Sequence, residues 1–177
     1  MKNVREVPST VKRKVVFLAI YNQGTKLYKN YPKTEKIDNN LVIPTVLLLN
    51  RWDGKIGFPG GHVEEGEDIL VALKRELKEE INYTLTETPT LINIIEASSS
   101  ILHFFALECS SFSDMKNIVR SATQADHFGS EVTGTMLQHL TTYKDQKGLE
   151  AFLSGTNLIY GVKDEIKDLL AHMKKKL

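Results

Sequence analysis

The chain has 177 residues, of which 41% are hydrophobic and 25% are charged, and its formal net charge is +1. These values favour one soluble globular domain over residues 1–177 and exclude a disordered or fibrous chain. Because the net charge is nearly zero, the protein as a whole does not attract nucleic acid or an anionic membrane. Any nucleotide must therefore be bound by local residues.

Neither secretion nor membrane insertion is predicted. The N-terminus has no signal-peptide pattern, and the longest apolar runs, residues 15–20 and 45–49, are far too short to cross a bilayer. Cys109 is the only cysteine, so no intrachain disulfide can form. We therefore expect a soluble intracellular protein, in the cytoplasm, or in the nucleus if the source is eukaryotic.

The apolar and turn-forming residues predict a mixed sheet with helices before and after it, which is an α/β arrangement. The predicted strands are residues 15–21, 41–50, 55–58, 91–97, 101–108 and about 131–140. The predicted helices are residues 67–81, about 114–123 and 164–175. The predicted irregular segments are a lead-in at residues 1–10, a turn at Asn22-Gln23-Gly24, an exposed loop at residues 29–40 and a hairpin at Asp53-Gly54.

The helix predicted at residues 67–81 carries three glutamates on one face. Glu76, Glu79 and Glu80 are spaced i, i+3 and i+4, which brings their carboxylates to one patch. Crowded carboxylates repel each other, and a hard divalent cation such as Mg²⁺ or Mn²⁺ relieves that repulsion. A charged run of this kind is also typical of a solvated helix surface, so the surrounding pattern has to distinguish the two interpretations.

That pattern extends over residues 61–83. Gly61 is followed after five residues by Glu67 and, after seven more, by Arg75-Glu76, an aliphatic residue, one further residue and Glu79-Glu80. This spacing matches the signature of the Nudix hydrolases, and the chain therefore resembles that superfamily.

Two residues depart from the signature. Asn82 stands where the signature has glycine, and Tyr83 replaces an aliphatic residue. Asparagine tolerates the left-handed conformation that ends a helix, so the cap is expected to survive. Neither departure touches a carboxylate. The resemblance implies the fold of the superfamily, an α/β/α sandwich with a mixed sheet.

The resemblance also implies roles for the matching residues. The implied ligands for two or three Mg²⁺ or Mn²⁺ ions are Glu76, Glu79, Glu80 and a backbone carbonyl of Gly60 or Gly61. Glycine suits the last role because a side chain would block a close approach. Arg75 is expected to form an ion pair that holds one of the catalytic glutamates in place.

Segments outside the signature resemble the Nudix enzymes that remove the cap of small nucleolar RNA and also act on inosine and deoxyinosine diphosphates. These segments are NRWDGKIGFPGGHV, HFFAL, ADHFGSEVTG and a C-terminal GLEAFL. In that branch a glutamate of the third segment supplies a further metal ligand, here Glu131. The same resemblance makes a homodimer an expectation, since no residue pattern in the chain establishes one.

Recognition of a purine or a cap requires flat side chains and hydrogen-bonding groups. The candidate substrate contacts are Arg51, Phe58, Gly61, His62 and His103. Phe104 and Phe105 are adjacent in a predicted strand, so only one of them is expected to face the core. The base-binding histidine that the decapping branch has near its N-terminus has no counterpart in the predicted strand at residues 15–21.

The sequence therefore predicts a metal-dependent hydrolase that splits the phosphoanhydride bond of a nucleoside diphosphate derivative. The expected substrates are inosine, deoxyinosine or other purine nucleotides, or capped RNA. Glu79 or Glu131 is the expected general base. Two alternatives stay open: a Nudix-type module that binds nucleotide or RNA without turnover, and a pyrophosphatase acting on nucleotide sugars or dinucleotides.

Overall fold

The computed structural model describes residues 12–26 and 42–176. The predicted lead-in at residues 1–10 and the predicted loop at residues 29–40 lie outside these ranges. Within them, no helix is both long enough and apolar enough to cross a membrane.

Seven strands form one mixed sheet in the described part of the chain. The strands are β1 (Arg13–Lys26), β2 (Val42–Arg51), β3 (Ile56–Gly57), β4 (Gly60–His62), β5 (Thr90–Glu96), β6 (Ser100–Glu108) and β7 (Val132–His139). Their order is β3-β2-β1-β6-β5, with β4 paired to β1 and β7 paired to β2. β1 and β6 run parallel, and the other pairs are antiparallel.

Four α-helices accompany the sheet within the same residues. They are α1 (Ile69–Ile81), α2 (Phe112–Ser121), α3 (Leu149–Ser154) and α4 (Val162–Lys175). α1, α2 and α4 correspond to predicted helices. α3 has six residues, which are too few to show the periodicity by which a helix is predicted.

The two faces of the sheet bury separate sets of apolar residues, because successive strand residues point to opposite faces. Along β1, Val16 and Leu18 belong to one core, and Ala19 and Tyr21 belong to the other. The first core is covered by Leu73, Leu77, Ile81, Met115 and Ile118 of α1 and α2. The second is covered by Leu149, Val162, Ile166 and Leu169 of α3 and α4. This arrangement confirms the α/β/α sandwich.

Because helices cover both faces of the sheet, the expectation that only one of two adjacent phenylalanines faces the core is wrong. Phe104 and Phe105 are both buried, at 0% and 7% exposure, although only one was expected to face the core. Phe104 packs on the α4 side and Phe105 on the α1 side. A strand covered by helices on both faces buries consecutive residues, which an alternating pattern does not anticipate.

The turn predicted at Asn22-Gln23-Gly24 is wrong, because β1 continues to Lys26. The register between β1 and β2 shifts between Asn22 and Thr25, and the Gly24 N–H donates to Asn22 Oδ1 at 3.1 Å. The turn-forming residues therefore make an irregularity inside a strand instead of ending it.

Candidate active site

Helix α1 is closed at both ends by capping residues. Asp68 caps its N-terminus, since Oδ1 accepts hydrogen bonds from the N–H groups of Leu70 at 2.8 Å and Val71 at 3.4 Å. Asn82 ends the helix in the left-handed conformation, with φ 52° and ψ 35°, and its N–H donates to the Lys78 carbonyl at 3.1 Å. The replacement of the signature glycine by asparagine thus preserves the cap, as expected.

Arg75 forms the expected ion pair, and it does so with three carboxylates. Its Nε and Nη2 donate to the two oxygens of Glu67, each at 3.1 Å, which holds the pKa of Glu67 below its ordinary value. Its Nη1 donates to Glu76 Oε1 at 2.9 Å and to Glu79 Oε2 at 3.1 Å. Its Nη2 also donates to the His62 carbonyl at 3.0 Å. The guanidinium therefore joins the loop before α1 to the glutamate face.

Glu80 is a buried carboxylate, only 5% exposed. Its Oε2 accepts a hydrogen bond from the Gly60 N–H at 2.7 Å. Burial raises the pKa of Glu80 to about 8; repulsion from Glu76 and Glu131 adds to the rise, while Gly60 and Arg51 oppose it. Burial of this kind favours the protonated form of an acid, and a bound cation favours the ionised form.

The Gly60-Gly61 pair allows the loop to approach both α1 and β1. A Cβ built on Gly61 would lie 2.6 Å from Glu76 Oε1 and 2.8 Å from its Oε2, so a larger residue there would displace the Glu76 carboxylate. Gly60 has φ +132°, and a Cβ on it would lie 2.1 Å from the Val16 carbonyl oxygen. The resulting burial raises the pKa of Glu76, and the Arg75 guanidinium opposes that rise.

Two predicted site residues from other parts of the chain join the helix glutamates through strand pairing. Arg51 ends β2 and is in register with Val132 of β7. The N–H of Trp52 donates to the Glu131 carbonyl at 3.0 Å, which holds Glu131 beside the end of β2. The charges of Arg51 and Glu131 both act on Glu80. The side chain of Glu131 is 62% exposed, which leaves its carboxylate free to reorient.

His127 also lies in the site, although it is not among the predicted site residues. Its backbone N–H donates to the Glu79 carbonyl at 2.9 Å, and its ring Nδ1 lies 3.8 Å from Glu131 Oε2. A protonated His127 ring lowers the pKa of Glu76. The sequence pattern that could have identified His127 is its position four residues before Glu131, within a segment that resembles the decapping branch.

The chemistry of the donors suits a hard divalent cation. The glutamates of α1 and Glu131 offer carboxylate oxygens, the ligands that Mg²⁺ and Mn²⁺ prefer. Glu76 and Glu80 are largely withdrawn from water, where an unpaired carboxylate is costly. Among the described residues, however, no three His, Cys, Asp or Glu side chains are already close enough to hold a metal. Arg75 and the Gly60 N–H bond the carboxylate oxygens, so metal binding requires the carboxylates to turn.

The structure corrects the prediction for Phe58. Its ring is 4% exposed and packs against Phe104, with centroids 4.9 Å apart. Both rings belong to the core on the α4 side of the sheet, whereas the glutamates belong to α1 on the other side. Phe58 therefore contributes to packing in this structure, and we do not include it among the proposed substrate contacts.

The other predicted substrate contacts lie on the α1 side or at the rim of the site. Gly61 and His103 are both in register with Val16 of β1, one on each side of that strand, which places them two strand spacings apart, about 10 Å. The Nδ1 atom of His103 is buried and has no hydrogen-bond partner within residues 12–26 and 42–176. His62 is exposed at the end of β4.

Comparisons with known proteins identify the family of this chain. A family model described as Nudt16-like, U8 snoRNA-decapping enzyme-like, matches residues 25–174. A Homalodisca vitripennis protein named U8 snoRNA-decapping enzyme is 39% identical over 116 residues, which are 62% of this chain and 62% of that protein. A Xenopus laevis protein of the same name is 31% identical over 164 residues, which are 87% of this chain and 76% of that protein. The match thus spans less than two thirds of the Homalodisca protein.

The fold also agrees with solved structures. A mutT/nudix family protein from Listeria innocua superposes with a TM-score of 0.55 over 93% of both chains, at 16% sequence identity. An identity this low shows the shared fold alone. The family model, by contrast, covers most of the chain. The chain therefore belongs to the Nudt16-like family of the Nudix hydrolases.

Proposed function

We propose that this protein is a divalent-metal-dependent pyrophosphohydrolase that splits the phosphoanhydride bond of a nucleoside diphosphate derivative. The observation that supports this most strongly is the environment of Glu80. Glu76 and Glu131 both repel this buried acid, and the Arg51 charge and the Gly60 N–H oppose them without preventing the rise of its pKa to about 8. Concentrated negative charge of this kind is what a bound cation stabilises.

The proposed ligands for two or three Mg²⁺ or Mn²⁺ ions are Glu76, Glu79, Glu80, Glu131 and the Gly60 carbonyl. Such ions, when bound, neutralise phosphoryl oxygens and lower the pKa of a coordinated water. Arg75 keeps Glu76 and Glu79 together through one nitrogen, Nη1. It therefore preserves their spacing, while Gly61 lies close against the Glu76 carboxylate.

Glu79 and Glu131 are the two candidates for the general base, and they differ in how firmly they are held. Glu79 bonds to Arg75, and its side chain is 29% exposed. Glu131 is 62% exposed and can follow a substrate. Glu79→Gln and Glu131→Gln distinguish the roles: loss of a ligand is compensated by raising the Mn²⁺ concentration, whereas loss of a base lowers kcat even at saturating metal.

The proposed substrates are purine nucleotides, such as inosine or deoxyinosine diphosphate, or RNA with a 5′ cap. The name shared by the relatives, U8 snoRNA-decapping enzyme, supports the second class. Arg51, His62 and His103 are the proposed contacts for the base or cap, with Gly61 allowing close approach. A soluble intracellular location is proposed from the short apolar runs of the chain, and a homodimer is proposed from the resemblance alone.

A turnover panel tests the function. Purified protein with Mg²⁺ or Mn²⁺ is offered inosine and guanosine diphosphates, dinucleoside polyphosphates, nucleotide sugars and capped RNA, and the products are separated by chromatography. We expect release of a nucleoside monophosphate or of 5′-monophosphate RNA, abolished in Glu80→Gln. The matched control is Glu150→Gln, which changes an exposed acid on α3 and should leave turnover unchanged.

The panel also decides between the alternatives. Fastest turnover of a nucleotide sugar or a dinucleotide would move the protein to that class of pyrophosphatase. Binding of nucleotide or RNA with no turnover of any substrate, at any metal concentration, would overturn the proposal and favour the binding module.

A further inference from the structure

The carbonyl of His127 organises the loop that carries Glu131. It accepts hydrogen bonds from the N–H groups of Ser130 at 3.2 Å, Glu131 at 3.1 Å and Val132 at 3.1 Å. The Ser130 hydroxyl donates to the same oxygen at 3.0 Å. Four donors on one carbonyl make His127 the fixed point of this loop.

The same residue attaches the loop to α1. The N–H of His127 donates to the Glu79 carbonyl at 2.9 Å. Glu79 lies in the last turn of α1, where carbonyl groups have no partner inside the helix. The loop therefore completes the end of α1, and its backbone bonds the residue next to Glu80.

One edge of the His127 imidazole is buried, and the backbone hydrogen bonds described above give the ring itself no role. Its Nδ1 atom is buried and has no hydrogen-bond partner among the residues that the structure describes. Glu131 Oε2 lies 3.8 Å away, which is too long for a hydrogen bond. Because the Glu131 side chain is 62% exposed, rotation of its carboxylate can shorten this distance at little steric cost.

We propose that His127 is a positioning residue for Glu131: in the tautomer protonated on Nδ1, it donates to the Glu131 carboxylate and holds it towards the glutamates of α1. The inference rests on the metal-dependent function proposed above. Partners that orient a metal ligand in this way typically change metal affinity by about 10- to 100-fold when they are removed. The competing explanation is that the ring only fills space in a loop shaped by its backbone.

Two amide variants distinguish the roles of the two ring nitrogens of His127. The side-chain amide of His127→Asn overlays Nδ1, whereas that of His127→Gln overlays Nε2. Mn²⁺ binding is measured by electron paramagnetic resonance without substrate, so the result does not depend on turnover. We expect Mn²⁺ affinity to fall by about 10- to 100-fold in His127→Gln and to be restored in His127→Asn. Thermal unfolding of both variants reports on the structural role of the ring.

A double-mutant cycle with Glu131→Gln tests whether His127 acts through Glu131. If it does, His127→Gln weakens Mn²⁺ binding in the unmodified chain and adds nothing in the Glu131→Gln background. Equal losses in both backgrounds, or equal losses in the Asn and Gln variants, would overturn the inference and leave the proposed function standing. Absence of Mn²⁺ binding by the unmodified protein would overturn both.

Discussion

The backbone N–H of Gly60 donates a hydrogen bond to Glu80 Oε2 at 2.7 Å, joining residues 20 positions apart. Gly60 is in register with Phe17 of β1, so this single bond links the sheet to the most buried acid of α1. The carboxylate is thereby fixed relative to the loop that precedes the helix. Glycine is required at this point because a Cβ would lie 2.1 Å from the Val16 carbonyl oxygen.

Gly61→Ala should abolish most activity while leaving the protein folded. The added methyl group would lie 2.6 Å from Glu76 Oε1, so the carboxylate must move aside. A displacement of about 1 Å in a catalytic group can cost about 100-fold in rate, and we expect a loss of that size in kcat. Gly134→Ala is the matched control, since among the described residues its methyl group would meet only Asn50 Nδ2, at 3.4 Å. Turnover near that of the unmodified protein in Gly61→Ala would contradict the proposed position of Glu76.

Arg75→Lys should not behave as a conservative change. The guanidinium donates to Glu67, Glu76, Glu79 and the His62 carbonyl, and a single ammonium group cannot reach all of these acceptors. We expect turnover to fall by about 10- to 100-fold, measured as kcat at saturating metal. Arg120→Lys, at an exposed position on α2, is the control and should retain full turnover. If the two variants were equally active, Arg75 would be no more than a surface residue.

Asn82→Ala should destabilise the protein, whereas Asn82→Gly should not. Asn82 has φ 52°, a left-handed conformation that costs an alanine roughly 1 kcal/mol and glycine almost nothing. Urea denaturation measures the free energy of unfolding of both variants. The alanine variant is expected to be less stable by roughly 1 kcal/mol and the glycine variant to match the unmodified protein. A loss of the same size in both would show that the asparagine side chain matters more than the backbone conformation.

Glu165 should make stability depend on pH. This acid of α4 is 3% exposed, and burial, with repulsion from Asp168 and Asp164, raises its pKa from 4.5 to about 8. The folded protein therefore binds this proton more tightly than the unfolded chain does, so the free energy of unfolding falls as pH rises from about 4.5 to about 8.

Urea denaturation of Glu165→Gln at pH values below and above that window checks the sign. The variant cannot titrate at this position and should lose less stability with rising pH than the unmodified protein. Part of the dependence should remain, because the raised pKa of Glu80 acts in the same direction. The control, Glu150→Gln, should keep the full dependence, and an equal dependence in Glu165→Gln would disprove the assignment.

Most of the sheet, three of the four described α-helices and the carboxylate face of α1 could be predicted from the sequence. Helical geometry sets the spacing of Glu76, Glu79 and Glu80, and the caps at Asp68 and Asn82 depend on a few neighbouring residues. Such features are local, so a pattern within one segment is sufficient. The short helix α3 and the irregularity at Asn22 were missed because short or polar segments carry no periodic signal.

The sequence by itself determined which carboxylates share one face of α1, through the residue types and spacing on that helix. Only the tertiary structure decided which other residues join that helix. Pairing of β2 with β7 brings Arg51 beside Glu131, and the two faces of the sheet separate Phe58 from His103. Burial of Glu80 depends on the packing of α1 against the loop at Gly60. These relationships arise from contacts between segments distant in the chain, and no spacing within a single segment encodes them.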